Sequence, residues 1–162
     1  MRIRQIFMCQ TAPGSHNRSK IDASHGSSPV PPRILMAEDN LINQRVGKLI
    51  LQRAGFAIDL AADGVETLEA HKKEPYDLIL MDCQMPIMDG FEASREIRRL
   101  PLPQPTIVAV TANALVGERE RCLNAGMDDY LSKPFQAEQL VAIVLKWVAI
   151  RQGAKSQEAA TA

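Results

Sequence analysis

The sequence predicts an α/β protein whose centre is a doubly wound parallel sheet of five strands with helices on both faces. Short apolar runs alternate five times with longer segments in which apolar residues recur every three or four positions over residues 33–151. Such alternation is typical of strand–helix units, which form parallel sheets covered by helices on each face. The apolar runs are also followed directly by polar residues, as expected where parallel strands end at one shared edge.

The strands are predicted from short apolar runs bounded by turn residues. The first run, ILMA, is wholly apolar and is followed by Glu38 and Asp39, and the third run, LILM, ends at Asp82. Runs of this kind are typical of strands buried on both faces. The second strand lies between Gly55 and an Asp-Gly turn. The five strands are expected over residues 34–37, 56–61, 78–81, 106–110 and 129–132.

The helices are predicted from apolar spacing and from the residues that end them. Val46 and Ile50 mark the apolar face of the first helix, and Gly55 ends it. Pro75 ends the second helix, and Gly126 is expected just after the end of the fourth. The five helices are expected over residues 43–53, 65–73, 90–100, 116–126 and 137–150.

Composition and charge exclude several classes of protein. The 162 residues include 19 basic and 19 acidic side chains, so the total charge does not indicate a nucleic-acid-binding protein. Three widely spaced cysteines argue against a disulfide framework, and we expect a protein of the reducing cytoplasm. No apolar stretch is long enough to cross a membrane.

The two ends of the chain differ from the centre. Residues 1–32 are rich in Ser, Gly, Pro and His and are basic, so we expect a disordered tail or linker there. The globular domain is expected over residues 33–151, and residues 152–162 are expected to form a disordered C-terminal tail. His71 lies beside two lysines and is expected to be solvated. Cys83 is expected to be a small core or rim residue, and Cys122 is expected to lie in the core.

Polar residues at the strand ends point to a single site. Glu38 and Asp39 follow the first strand, Asp82 ends the third, Thr111 ends the fourth and Lys133 follows the fifth. In an open parallel sheet the ligand crevice lies outside the carboxyl ends of the strands. A sheet of order 2-1-3-4-5 makes the first and third strands neighbours. We therefore expect Asp39 to lie beside Asp82.

This set of side chains favours chemistry on a phosphoryl group. Three neighbouring carboxylates repel one another unless a cation lies between them. Oxygen ligands favour a hard ion such as Mg²⁺, with Mn²⁺ as an alternative. The Thr111 hydroxyl and the Lys133 ammonium are donors suited to phosphoryl oxygens. Asp82, at the centre of the set, is the best candidate for a nucleophile that forms an acyl phosphate.

Four segments resemble the receiver domain of two-component response regulators, and the first is similar to receivers attached to hybrid sensor histidine kinases. The resemblance covers about residues 33–151 and implies the flavodoxin-like strand order 2-1-3-4-5. The four segments are ILMAEDN at 34–40, DCQMPIMDG at 82–90, VTA at 110–112 and SKPF at 132–135.

The resemblance implies a role for each matching residue. Asp82 would accept a phosphoryl group, and Lys133 would pair first with Asp82 and then with that group. Asp39, Asp82 and the backbone carbonyl of Gln84 would bind Mg²⁺, with Glu38 acting through water. The residues that would hold the phosphoryl group or switch with it are Thr111, the amide of Ala112 and, at the aromatic switch position, Tyr130; the Lys133–Pro134 peptide bond is expected to be cis.

The resemblance thus predicts a phosphorelay module rather than an enzyme of an established class, either alone or as part of a hybrid kinase. Its partners would be a histidine kinase or histidine phosphotransfer domain, and a downstream protein bound by the face of the fourth helix, fifth strand and fifth helix. An alternative is a phosphohydrolase with an Asp nucleophile, but such enzymes carry a second Asp where this chain has Gln84. A phosphorylation-independent binding module would need a broken acidic site, and this one is intact.

Overall fold

The computed structural model of the protein describes residues 30–112 and 117–161. Over these residues strands and helices alternate strictly, as the apolar pattern predicts. The strands are β1 (Ile34–Ala37), β2 (Ile58–Ala61), β3 (Leu78–Asp82), β4 (Thr106–Thr111) and β5 (Asp129–Ser132). The helices are α1 (Leu41–Arg53), α2 (Gly64–Lys73), α3 (Gly90–Arg99), α4 (Glu118–Asn124) and α5 (Ala137–Thr161).

All strand pairs in the sheet are parallel, and the order is β2-β1-β3-β4-β5, which confirms the predicted topology. The register aligns the carboxyl ends of the central strands. Ala37 pairs with Met81, and Asp82 pairs with Val110 on the other side of β3. The residues that follow β1 and those that end β3 therefore emerge at the same edge.

The core forms two apolar layers, one on each face of the sheet. In β1, Leu35 and Ala37 belong to one layer, and Ile34 and Met36 belong to the other. Strand β3 divides in the same alternating way. This is the doubly wound arrangement expected of strands that are apolar at every position. The sheet is consequently buried on both faces, so side chains that react with other molecules are expected at the ends of its strands.

Arg33, the first residue of the domain expected from the sequence, makes several contacts with the segment before β3. The backbone NH of Arg33 donates to the Asp77 carboxylate (2.9 Å), and its carbonyl accepts from the backbone NH groups of Asp77 and Leu78. Its guanidinium pairs with Glu74 and lies over the Tyr76 ring, 4.8 Å from the centroid. These contacts attach the chain to the amino end of β3. The predicted N-terminal tail, up to residue 29, lies outside the described residues.

The helix boundaries differ from the predicted ones by two residues or more in α1, α4 and α5. Helix α1 begins at Leu41 rather than at residue 43, because the Asn40 side chain caps it by accepting from two backbone NH groups. Helix α4 begins at Glu118, and residues 113–116 lie outside the described part of the chain. Helix α5 continues to Thr161, so a disordered tail over residues 152–162 is wrong for 152–161. That segment is rich in Ala, Gln, Lys and Glu, which favour helix.

The expectation that His71 is solvated is wrong. Its side chain is fully buried, and its Nδ1 accepts a hydrogen bond from the backbone NH of Tyr76 (3.1 Å). Burial, and secondarily the positive charge of Arg98, lower the pKa of His71 below its ordinary value. Cys83 and Cys122 are both buried in one apolar cluster, as predicted.

His71 should make the stability of the domain depend on pH. Because its folded-state pKa is lowered, the unfolded chain binds a proton below pH about 6.5 while the folded chain does not. The free energy of unfolding should therefore decrease as the pH falls below 6.5, by up to about 1.4 kcal/mol per pH unit from this group. Gln can accept the same hydrogen bond without titrating. Urea unfolding between pH 7.5 and 5.5 should give a flatter profile for His71→Gln, and parallel profiles would contradict the prediction.

Candidate functional site

The site lies at the edge where the carboxyl ends of the strands meet. Glu38 directly follows β1, Asp82 is the last residue of β3, Thr111 is the last residue of β4 and Lys133 directly follows β5. The backbone NH of Lys133 donates to the carbonyl of Thr111 at 2.6 Å. The sheet thus brings together side chains that are up to 95 residues apart in sequence.

Three carboxylates form the centre of the site. One oxygen each from Glu38, Asp39 and Asp82 lies within 4.8 Å of the others. Glu38 and Asp82 are buried, with only 1% and 5% of their surfaces exposed, whereas Asp39 is exposed. Three convergent oxygen donors, one of them open to solvent, suit a hard divalent cation that keeps part of its water shell. The donor set therefore fits Mg²⁺ or Mn²⁺.

The Lys133 ammonium neutralises part of this negative charge. Its Nζ donates to Asp82 Oδ2 at 2.5 Å and to Glu38 Oε2 at 2.6 Å. Both bonds are charge-assisted and largely shielded from water, so they are of the strong kind. Three carboxyl groups face one ammonium, so the formal negative charge of the set exceeds its positive charge. This excess is what a divalent cation would balance.

The pKa values of the pair reflect its burial. Loss of hydration raises the pKa of Asp82 above its ordinary value, although Lys133 and the Gln84 amide act in the opposite direction. For Lys133, burial acts to lower the pKa, but the hydrogen bonds to Asp82 and Glu38 outweigh it and raise the pKa. The folded protein without metal therefore resists ionisation of Asp82 while it holds Lys133 charged.

The first turns of α1 fix the position of Glu38. The Asn43 side-chain amide donates to Glu38 Oε1 at 2.8 Å, and the Gln44 amide donates to the Glu38 carbonyl at 2.6 Å. The sequence reasoning did not identify these two residues. The sequence did contain a signal for them. Both amides lie near the start of the helix that follows Glu38, and helical side chains point back towards the helix N-terminus, so both amides can reach Glu38.

The loop between β3 and α3 surrounds Asp82. The Gln84 backbone NH donates to Asp82 Oδ1 at 2.9 Å, and the Gly90 NH donates to the Cys83 carbonyl at 3.3 Å. A Cβ atom at Gly90 would lie 2.1 Å from the Asp82 carbonyl oxygen. The loop can therefore close against the end of β3 only because residue 90 has no side chain.

The other predicted residues lie outside the cluster of three carboxylates. Thr111 is buried, and Ala112 lines a cavity of about 440 Å³ together with Glu38 and Lys133. The Lys133–Pro134 peptide bond is cis, as expected. Tyr130 lies in the edge strand β5, paired with Ala109, and is 40% exposed, so it is not part of the acidic cluster.

This fold and this edge define a family. Residues 34–145 match the response regulator receiver domain, and the chain belongs to that family. It is 41% identical to hybrid signal transduction histidine kinase B of Dictyostelium discoideum over 126 residues. This alignment covers 70% of this chain and 6% of the kinase. It is 37% identical to the sensor histidine kinase GacS of Pseudomonas protegens over 140 residues, and this alignment covers 82% of this chain and 15% of that kinase. The chain thus spans only a small part of these relatives.

Solved receiver structures share the fold. The receiver domain of a sensor histidine kinase from Pseudomonas aeruginosa, with magnesium coordinated in its active-site cleft, is 43% identical, with a TM-score of 0.68 over 74% of this chain and 99% of that one. The receiver domain of the response regulator Ssk1 of Saccharomyces cerevisiae, solved with the histidine phosphotransfer protein Ypd1, gives 30% identity and a TM-score of 0.70 over 76% and 94%. Among the described helices of this chain, none has the length and apolarity to span a membrane.

Substituting Gly90 should test how tightly the loop is closed. Gly90→Ala would drive a Cβ into the backbone of Asp82, which cannot move without breaking β3, and should cost about 3 kcal/mol of unfolding free energy. Gly153→Ala is the matched control, since a Cβ added there would meet nothing within 4 Å apart from neighbouring residues and the backbone of its own helix, and Ala favours helix. Chemical denaturation should therefore show opposite signs for the two variants. Equal stabilities would contradict the close approach at Gly90.

The raised pKa of Asp82 should appear as a stability effect. Asp82→Asn removes a buried charge but keeps an oxygen that can accept from Lys133, so without metal it should raise the unfolding free energy at pH 7 by about 1 kcal/mol. The difference should fade as the pH falls through the raised pKa towards the ordinary value, because wild-type Asp82 is then protonated. Melting curves in EDTA from pH 7 to 4 measure this, and a variant that melts below wild type at pH 7 would contradict it.

Proposed function

We propose that this receiver accepts a phosphoryl group on Asp82 from the phosphohistidine of a partner protein and that a divalent cation is required. The observation that carries the proposal is the pairing of the buried Asp82 carboxylate with Lys133 inside a set of three carboxylates. A charged nucleophile, a mobile ammonium and an oxygen-rich cation site are the parts that phosphoryl transfer to a carboxylate needs.

In this step an oxygen of the ionised Asp82 attacks phosphorus in line with the bond to the histidine nitrogen. The P–O bond forms as the P–N bond breaks, and the bonding electron pair remains on the imidazole, which takes a proton from solvent. Asp82 supplies an electron pair and loses no proton, so no general base is required. Later attack of water on the acyl phosphate releases inorganic phosphate and restores the carboxylate.

The acidic cluster would hold the cation. Asp39, Asp82 and the backbone carbonyl of Gln84 would be ligands of Mg²⁺ or Mn²⁺, and Glu38 would act through a bound water. The convergence of the three carboxylates within 4.8 Å and the exposure of Asp39 support this assignment. When bound, the ion neutralises charge that the phosphoryl oxygens bring to a site already rich in carboxylates.

The donors around the cluster would bind the transferred group. Lys133 would exchange its bond with Asp82 for one with a phosphoryl oxygen, which its flexible side chain allows. The Thr111 hydroxyl and the Ala112 amide would bind the other oxygens from the end of β4. Thr111 and Tyr130 would then transmit the change to the face formed by α4, β5 and α5, where a downstream protein would bind.

The partner that supplies the phosphoryl group would be a histidine kinase or a histidine phosphotransfer domain. The relatives include a hybrid histidine kinase and a sensor histidine kinase, and a receiver with 30% identity has been solved with a histidine phosphotransfer protein. The net charge of the chain is +0, which gives no support to direct nucleic-acid binding.

Labelling with acetyl phosphate and Mg²⁺ tests the proposal. Wild type should gain one phosphoryl group when Mg²⁺ is present and none when EDTA replaces it, and Asp82→Asn should gain none in either case because an amide is not a nucleophile. Asp89→Asn is the matched control in the same loop, since Asp89 caps α3 and Asn caps equally well. Lys133→Ala and Thr111→Ala should label more slowly while remaining folded.

Three results would contradict the proposal in different ways. Labelling of Asp82→Asn at the wild-type rate would place the acceptor elsewhere. Turnover of phosphomonoesters without stable label would favour the phosphohydrolase. A folded wild-type chain that takes no label with either Mg²⁺ or Mn²⁺ would favour a binding module that works without phosphorylation.

A further inference from the structure

Ile87, in the loop between β3 and α3, combines two features that cost stability. Its φ angle is +68°, in the left-handed region that a β-branched residue rarely adopts. Its side chain is also 84% exposed, so it gains little from packing within the domain. Among the described residues, it is the only non-glycine residue with positive φ.

The hydrogen bonds of the loop impose this conformation. The Met88 NH donates to the Pro86 carbonyl at 2.8 Å, which closes a three-residue γ-turn with Ile87 at its centre. A γ-turn with positive φ at the central residue is the rare and strained form. The turn is held from outside as well, because the Met88 carbonyl accepts from the Gly64 NH at 3.1 Å. Residue 87 is therefore fixed in a conformation that glycine would adopt without cost.

Folding alone does not explain an isoleucine at this position. Glycine would relieve the backbone strain, and a polar residue would suit the exposure. Strained residues that the surrounding structure holds in place cluster at sites of function. An exposed aliphatic side chain on such a turn is suited to contact another molecule.

The position of Ile87 indicates which molecule it contacts. Asp82 is only 5% exposed, so a phosphohistidine that reaches it must be carried to the sheet edge by a protein surface that touches the surrounding loops. Ile87 lies five residues after Asp82. Leu41 and Ile42, which follow Asp39 closely in sequence, are also aliphatic and are 66% and 71% exposed. These three residues, the apolar rim, lie on segments that flank the acidic cluster.

We propose that Ile87 is a docking residue for the protein that delivers the phosphoryl group, and that the strained turn presents it for this purpose. The partner would be a histidine phosphotransfer protein whose histidine is surrounded by apolar side chains, which the apolar rim would contact while the histidine faces Asp82. This inference rests on the proposed function and adds a residue that affects phosphoryl transfer from protein donors only. A small donor such as acetyl phosphate would reach Asp82 without touching Ile87.

The test compares two phosphodonors across three substitutions. Phosphorylated Ypd1 and acetyl phosphate are each mixed with wild type, Ile87→Ala, Ile87→Gly and Ile87→Leu. Transfer from Ypd1 should slow about tenfold in the Ala and Gly variants, as expected for loss of one well-packed apolar contact, and should stay near wild type in Leu. Labelling by acetyl phosphate should be unchanged in all of them. Ile150→Ala removes a half-exposed aliphatic side chain from α5 and is the matched control.

Thermal melting supplies the second measurement. Ile87→Gly should melt above both wild type and Ile87→Ala, because only glycine relieves the positive φ angle. A variant that is more stable and yet slower only with the protein donor separates docking from misfolding. A Gly variant that melts no higher than Ala would overturn the role of strain.

The remaining outcomes distinguish the two proposals. Equal transfer from Ypd1 to wild type and Ile87→Ala would overturn the docking role, as would a wild type that is labelled by acetyl phosphate and not by Ypd1. Slower labelling of the Ile87 variants by both donors would also overturn the docking role, because it would assign Ile87 to the phosphoryl-transfer step itself. Absence of label from either donor would overturn the proposed function and this inference with it.

Discussion

The structure depends on one electrostatic constraint, which is that two buried carboxylates share a single ammonium. Lys133 donates to Asp82 and to Glu38, which lie 51 and 95 residues from it in sequence, and its positive charge offsets part of the cost of burying the two acids. The parallel sheet is what makes the meeting possible, since it ends β1, β3 and β5 at the same edge. Three carboxyl groups and one ammonium leave the site formally negative, which suits a divalent cation.

The structure also separates a rigid sheet from the reactive groups at its ends. Strands β1, β3 and β4 are buried at every position, and both of their faces pack into apolar layers. Such packing has few alternative arrangements. The groups that would change during phosphoryl transfer lie at the strand ends and in the loops beyond them. The loop after β3 is tightly closed, because it packs against Asp82 at Gly90 and turns sharply at Ile87.

The sequence predicted most of the fold and the centre of the site, because both depend on patterns that are local in sequence. Apolar runs identified the strands, and the polar residues after them identified Glu38, Asp39, Asp82 and Lys133. What it missed depends on three-dimensional context. His71 follows a polar pattern but is buried by packing against Tyr76, the Asn43 and Gln44 amides act through bonds to Glu38, and the strain at Ile87 arises from hydrogen bonds that no composition reveals.

The attachment of Arg33 has a consequence for how the domain can be joined to other chains. Arg33 enters at the amino end of β3 through Asp77, and Arg151 of α5 approaches the same Asp77 carboxylate at 3.8 Å. Entry to the domain and the body of its last helix therefore converge at the pole opposite Asp82. Contacts at this pole can therefore change without reaching the carboxyl ends of the strands, and the pole that holds Asp82 stays accessible to another protein.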